Sequence, residues 1–393
     1  MTRKPLRILQ VVPWSVHGGG TGGMAAVVRD LTGELRRRGH SVEILANAWH
    51  ARVPTREGPE LRLRLPGPPG AGGLLSWAKW PVQREKAARR LLALCRERRI
   101  DILHAHYAAP YLAVLRRAHA LGGPPYVVTC HRGDVLQMPE LSRSRQQAVK
   151  TGIAHAAACI AVSRWLAREA ANTFGRDDTM AIPNGFDLDR ETLLSRNGLE
   201  AELGRDLPAH YAVMVANMRT YKGHDVALQA WAQLKAQGTR LPLVLVGNGP
   251  DFEAIRELAS TLGLGETDVL FLGYQPRDIA LSLIRYARML VAPSRSEGHS
   301  ITVLEAGTLQ TPLVCSEIPA FTDMIADGVT GDIFPMDDHR SLARKIAQAL
   351  ADPEGLRQRA LNLHAIVCTD FSISAMIKNY EHVFNDAIGT QNR

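Results

Sequence analysis

Residues 289–309 read MLVAPSRSEGHSITVLEAGTL. The stretch opens as a short unbroken apolar run, turns polar after Pro293, and resumes as a helix near residue 301. An apolar run without alternation, followed by a helix, marks a strand buried on both faces of a parallel sheet. The pattern extends outward from there. In the second half strands are expected at 211–217, 242–246, 268–272, 289–293 and 312–315. Helices are expected near 224–236, 251–262, 277–286, 301–309 and 338–350. The first half carries the same alternation, with strands at 6–13, 41–46, 101–106, 126–131 and 159–163. Its helices are expected near 24–38, 81–99, 109–120, 142–157 and 164–174. This is the signature of two successive α/β domains, each a doubly wound, Rossmann-like parallel sheet. The aperiodic, polar stretch 186–208 sets the boundary, giving domains 1–190 and 191–371. A terminal helix at 372–390 is expected to complete the first domain. Residues 54–75 hold five Pro and five Gly and read as a long loop.

The chain has 393 residues and a formal charge of +8. Length and 46% hydrophobic residues allow a core for each domain and exclude wholesale disorder. The charge is unevenly spread. Residues 1–190 carry 29 basic and 15 acidic side chains, a balance of +14, and the remainder carries 18 and 24, a balance of −6. A basic half suits an anionic ligand or surface. Five widely spaced cysteines without a C-x-x-C pair fit a reduced, cytoplasmic protein. The N-terminus lacks a separate apolar segment and cleavage site, so no signal peptide is expected.

Three features carry chemistry. Gly18–Gly23 is a glycine-rich turn running into a helix, where backbone amides and the helix dipole favour an anion. It lacks the acidic residue of the dinucleotide fingerprint and the Gly-Lys-Ser/Thr of a P-loop. Arg219-Thr220-Tyr221-Lys222-Gly223 follows a strand, placing two cations where open α/β sheets bind ligands. Arg219 and Lys222 there suit a diphosphate and its leaving oxygen. Glu297 and Glu305 flank the start of the 301–309 helix; carboxylates at such a place accept hydrogen bonds from sugar hydroxyls. Taken singly, each feature also has a bland reading: a turn, a solvated basic loop, an acidic helix start.

Together they resemble the retaining glycosyltransferase family 4, of GT-B fold. The likeness runs through Arg38-Gly39-His40-Ser41-Val42, Asp101-Ile102-Leu103-His104-Ala105-His106, Thr129-Cys130-His131-Arg132-Gly133-Asp134, Pro183-Asn184-Gly185, Lys222-Gly223-His224-Asp225, the E-x7-E element from Glu297 to Glu305, and Asp327-Gly328-Val329-Thr330-Gly331. The resemblance implies an enzyme that moves a sugar from a nucleotide-diphosphate sugar to a glycan or lipid-linked acceptor. It implies retention of anomeric configuration, no metal, and a cleft between two Rossmann-like domains. Glu305 would hold the nucleotide ribose. Glu297, with the amides around Gly298, His299, Ser300 and Ile301, would meet the donor sugar and leaving phosphate. Lys222 would bind the diphosphate, Gly22 and Gly23 would close on the phosphates, and His131 would stand near the transferred sugar. The family's usual arginine position is Asn217 here, so Arg219 is expected to take over. E-G-F-G reads Glu297-Gly298-His299-Ser300.

Asp187-Leu188-Asp189 mimics a metal-binding D-x-D, but its place beside the linker argues against a metal. His104 and His106 share a strand face without a third ligand and are expected to line the cleft floor. Residues 72–99 combine Trp77, Trp80, leucines and many cations, which suits peripheral contact with an anionic membrane. The competing reading is a solvated arginine-rich helix whose tryptophans pack into the domain. A nucleotide-sugar epimerase, a catalytically silent scaffold and a nucleic-acid binder are the rival functions. The last lacks any recognisable module.

Overall fold

The computed structural model describes residues 4–17, 23–48, 50–52, 54–70 and 73–391. It divides into unit 1, Met1–Asn184 with Ile373–Arg393, and unit 2, Gly185–Ser372.

Unit 1 is built on eight strands: β1 (Arg7–Val12), β2 (Ser41–Asn47), β3 (Thr55–Glu57), β4 (Glu60–Leu63), β5 (Ile102–His106), β6 (Tyr126–Cys130), β7 (Ala158–Ala161) and β8 (Met180–Ala181). They lie in the order β3-β4-β2-β1-β5-β6-β7-β8. All neighbours are parallel except β3 with β4. Strand alternation sends one set of side chains to each face. Leu9, Leu103, Val128 and Cys159 pack under helices Leu74–Arg98 and Leu112–Ala120. Ile8, Ile102, Val127 and Ile160 pack with Ile377, Tyr380 and Phe384 of the terminal helix, Ile373–Gln391.

Unit 2 holds β9 (Ala212–Val215), β10 (Leu243–Val246), β11 (Val269–Gly273), β12 (Met289–Ala292), β13 (Leu313–Ser316) and β14 (Asp332–Phe334), in the order β11-β10-β9-β12-β13-β14 and parallel throughout. In each sheet the chain reverses its direction of travel beside its first strand. The switch falls between β1 and β5 in unit 1 and between β9 and β12 in unit 2. Beyond the carboxyl ends of such strand pairs the diverging loops open a crevice for ligands.

Four expectations are corrected. The unit boundary falls at Asn184–Gly185, ahead of residue 190. Phe186 already belongs to unit 2: its amide donates to the Phe371 carbonyl at 2.9 Å, and Arg277 sits over its ring at 5.3 Å. The supposed loop 54–75 contains β3 and β4, the latter parallel to β2. Its alternating Glu-Leu-Arg-Leu pairs an inward Leu61 and Leu63 with outward arginine, and the surrounding Pro and Gly masked it. The helix expected from residue 81 begins at Leu74 and carries Pro81 inside it. An internal proline costs about 3 kcal/mol of helix stability, and here it sits in an exposed stretch before the helix reaches the core at Ala87. The polar stretch 186–208 holds a short helix, Arg196–Leu203, capped by Ser195, whose hydroxyl accepts from the Gly198 amide.

Candidate active site

The loops after β9 and β12, on either side of the unit 2 switch point, bring the predicted charges together. Lys222 ends a tight turn at Thr220–Lys222 that leads through Gly223 into helix His224–Ala236. Gly223 has φ 74°, and a Cβ there would strike the Pro293 carbonyl, so this junction admits only glycine. The loop after β12 is thereby pressed against the turn. Across that contact Lys222 Nζ donates to Glu297 Oε1 at 2.6 Å. Ser294 Oγ donates to the same oxygen at 2.9 Å.

Arg295 braces the pair, and sequence reasoning missed it. Its guanidinium forks onto Asp225 (2.9 and 2.7 Å), reaches Asp337 Oδ1 (2.6 Å), and donates to the Thr220 carbonyl. Its backbone amide donates to the Tyr221 carbonyl at 2.8 Å. The fork holds Asp225 below the usual carboxylate range, despite the opposing pull of burial. A planar fork between two loops fixes orientation as well as charge.

Gly298, His299 and Ser300 are buried and lead to helix Ile301–Thr308, whose first amides have no earlier turn to satisfy them. Glu305, one face further in, is buried at 8% exposure and lies 3.7 Å from an Arg277 nitrogen. Arg277 also donates to Glu191 Oε1 at 2.8 Å, so one cation serves two carboxylates. Arg277 is a second residue the motifs did not reveal. His299, which stands where phenylalanine is usual, behaves like one. It packs on the Phe371 ring at 5.3 Å, and burial lowers its pKa to about 3, so it stays neutral. His224 is likewise buried, its pKa pushed down to about 4 by burial and then by the Lys222 charge.

Asn217 and Arg219 are exposed. Among the described residues no hydrogen bond or ion pair is formed by the Arg219 guanidinium, which is an exposed cation in contrast to the braced Lys222.

In unit 1, His131 follows β6. Asp134 organises its loop by accepting from the amides of Ala108 (2.8 Å), His131 (3.0 Å) and Arg132 (2.9 Å). His131 Nε2 lies 3.2 Å from His106 Nδ1. His104 and His106 do not line an open floor as expected: both are fully buried. Tyr380 and Phe384 of the terminal helix lie 5.1 and 5.2 Å from the His104 ring. Burial lowers the pKa of His131 to about 3; burial, then the His131 charge, does the same for His104. Gly23 opens helix Gly23–Arg37; Gly22 and the turn before it lie outside the described residues. The segment preceding that turn is tied down by Glu60, whose Oε1 accepts from the amides of Val16 (2.8 Å) and His17 (3.2 Å) and meets His17 Nδ1 at 2.7 Å. Among the described residues, no cluster of three or more His, Cys, Asp or Glu side chains is arranged to hold a metal ion.

Residues 21–190 match the family model described as "Glycosyltransferase Family 4", and residues 196–362 match "Glycosyl transferases group 1". The chain belongs to glycosyltransferase family 4. It is 24% identical to N-acetyl-alpha-D-glucosaminyl L-malate synthase of Bacillus anthracis over 93% of this chain and 94% of that protein. It is 28% identical to the putative teichuronic acid biosynthesis glycosyltransferase TuaC of Bacillus subtilis over 70% of this chain and 66% of that protein. In structure it resembles Anabaena Alr3699/HepE, solved in complex with UDP, with a TM-score of 0.76 at 18% identity, covering 97% of this chain and all of that one. The architecture is GT-B: two Rossmann-like parallel-sheet domains. The family 4 chain is thus a glycosyltransferase, and these relatives lend nothing to an epimerase.

Proposed function

We propose that this family 4 enzyme takes a sugar from a nucleotide-diphosphate donor and delivers it to a hydroxyl of a glycan or lipid-linked acceptor. Retention of configuration and independence of metal are part of the proposal, as is a place in bacterial envelope polysaccharide assembly at the cytoplasmic side. The observation that carries it is the Lys222–Glu297 pair at 2.6 Å on the unit 2 switch point, braced by Arg295. An ammonium has three donors, and the pair uses one. Lys222 therefore keeps donors for a diphosphate while Glu297 holds its position. The amides from Gly298 to Ile301 add partial positive charge where the leaving phosphate develops negative charge. Glu305 accepts from the ribose hydroxyls, Arg277 holding its carboxylate in place. Arg219 and Asn217 contact the donor from the exposed edge. Gly22 and Gly23 close on the phosphates, and His131 meets the transferred sugar. The leaving phosphate itself takes the acceptor's proton, so same-face displacement needs no separate base.

The uridine diphosphate bound by the Anabaena protein makes UDP-sugars the first donors to try. A thermal-shift screen of UDP-, GDP- and ADP-sugars identifies the donor: a ligand at 100 times its dissociation constant stabilises by about 2.7 kcal/mol. Acceptor-dependent release of nucleoside diphosphate in the presence of a chelator then tests transfer without metal. NMR of the product's anomeric proton tests retention. No stabilisation by any nucleotide sugar would sink the proposal.

Membrane contact through residues 72–99 draws support from the start of helix Leu74–Arg98. Leu74, Leu75, Trp77 and Val82 are 91, 74, 42 and 55% exposed. Lys79, Lys86 and Arg89 are exposed around them. Of the two tryptophans, Trp77 is exposed and Trp80 is partly buried. Insertion of those apolar groups beside cations suits an anionic bilayer. Flotation with phosphatidylglycerol vesicles at low salt should carry the protein upward; failure to float refutes the contact.

A further inference from the structure

Gln10 and His106 are both fully buried, and neither has a part in the transfer described above. Strand register places Gln10 beside His104, and His106 beside Thr129. His104 and His106 are two residues apart, so all four side chains share one face of the unit 1 sheet. Toward the start of the strands that face is apolar, lined by Ile8, Ile102 and Val127. Toward the carboxyl ends it turns to hydrogen-bonding groups, beside the switch point between β1 and β5.

The direction of the hydrogen bonds follows from counting protons. His106 Nε2 lies 2.6 Å from Gln10 Oε1. A carboxamide oxygen only accepts, so His106 Nε2 carries a proton. Burial and then the neighbouring His104 and His131 push the pKa of His106 well below its ordinary value, so the ring is neutral and has no second proton. Its Nδ1 is therefore a bare acceptor. It faces His131 Nε2 at 3.2 Å, which must then be the protonated nitrogen of His131. What remains on His131 is a lone pair at Nδ1.

We propose that Gln10 and His106 are positioning residues that hold His131 in the Nε2–H tautomer, so that it meets a sugar hydroxyl as a hydrogen-bond acceptor. The proposal rests on the reading of His131 as a sugar-facing residue. Its chemical sense lies in the transition state of glycosyl transfer, where positive charge grows on the sugar ring. A neutral ring offering a lone pair to a hydroxyl enriches that sugar in electron density. An imidazolium would oppose the developing charge, and a ring free to change tautomer would offer the lone pair only part of the time.

Long-range ¹H–¹⁵N correlation spectra of the full chain, with ligand absent, read the tautomer directly. A His131→Gln variant assigns the His131 signals. The expected spectrum has a protonated Nε2 and a bare Nδ1. Gln10→Leu removes the accepting oxygen at similar volume. It should convert His131 to a mixture of tautomers and lower turnover on the screened UDP-, GDP- or ADP-sugar about tenfold, the scale of loss when an orienting partner is removed. A wild-type His131 protonated at Nδ1, the order imposed if the Gln10 amide pointed the other way, overturns the proposal. So does a Gln10→Leu spectrum identical to wild type. Should Gln10→Leu fail to fold, the wild-type spectrum alone decides. Unaltered turnover by His131→Ala would instead remove His131 from the site whatever its tautomer, which keeps the two failures apart.

Discussion

The carboxyl ends of the two sheets hold different kinds of polarity. In unit 2 the groups are charged and paired: Lys222 with Glu297, Arg295 with Asp225 and Asp337, Arg277 with Glu191 and Glu305. In unit 1 the clustered groups are polar but neutral: His104 bonded to Thr129 at 2.8 Å, and His106 to Gln10 and His131 at 2.6 and 3.2 Å. The buried carboxylates near them are occupied by backbone amides, Asp134 by three and Glu60 by those of Val16 and His17. Two Rossmann-like sheets with the same switch-point geometry have thus been fitted to opposite needs. On the proposed function, paired charges suit a ligand that brings charge of its own, because Lys222 keeps donors for a diphosphate while Glu297 holds it in place. On the same reading neutral acceptors suit hydroxyls, for which a buried charge would cost desolvation without a counter-ion.

The contrast is tested hardest at Lys222. Lys222→Ala should lower transfer by 100-fold or more, the scale of losing one group that stabilises developing charge. Its melting temperature should stay close to wild type, since Lys222 is only partly buried. Glu305→Ala should be comparably damaging, chiefly through the donor KM. Wild-type turnover by either variant would break the assignment of unit 2 as the charged, donor-binding side.

Acid should distinguish the neutral cluster next. His104 titrates at about 3 in the folded chain against 6.5 when unfolded. A depressed histidine contributes its stability above pH 6.5 and loses it as pH falls toward 3, because the unfolded chain then binds more protons. For His104 alone the loss between pH 6.5 and 5 is about 2 kcal/mol. Denaturant melts across that range should show it, and His104→Asn should flatten the slope. An unchanged slope would mean that His104 is not held neutral by burial.

A smaller effect is expected at Arg295→Met, which leaves Asp225 and Asp337 without their fork. Unit 2 should lose about 1–2 kcal/mol, as those carboxylates are partly solvated. Donor KM should rise with it, as the turn bearing Lys222 loosens. The smallest belongs to Arg219→Ala. An exposed, unbraced cation should cost less than about tenfold in donor affinity, and a loss as large as that of Lys222→Ala would show that Arg219 is held in place by the donor.

The sequence displayed the strands that lie deepest in each sheet, because parallel strands covered on both faces are unbroken apolar runs. It hid β3, β4, β8 and β14, each of four residues or fewer, helix Arg196–Leu203, too brief to show a period, and the longer helix Pro353–Asp370. Glu297, Glu305 and Lys222 were legible from spacing within motifs. Arg295, Arg277 and Gln10 were not, and His106 was read only as part of a cleft floor, since each acts on a partner distant in sequence: Arg295 on Asp225 at a separation of 70, His106 on Gln10 at 96. No local pattern records such a pairing. The departure at His299 was visible in sequence, but its meaning came only from its burial against Phe371.

The helix Ile373–Gln391 belongs to unit 1 although all of unit 2 precedes it in the chain. During synthesis the face formed by Ile8, Ile102, Val127 and Ile160 therefore emerges long before Ile377, Tyr380 and Phe384 exist to cover it. At 5–20 residues per second the interval is on the order of 10–40 s. In that time all of unit 2, Gly185–Ser372, is being synthesised, while unit 1 waits with an apolar surface open to chaperones and to other nascent chains. The N-terminal half of this protein is translated first and finished last.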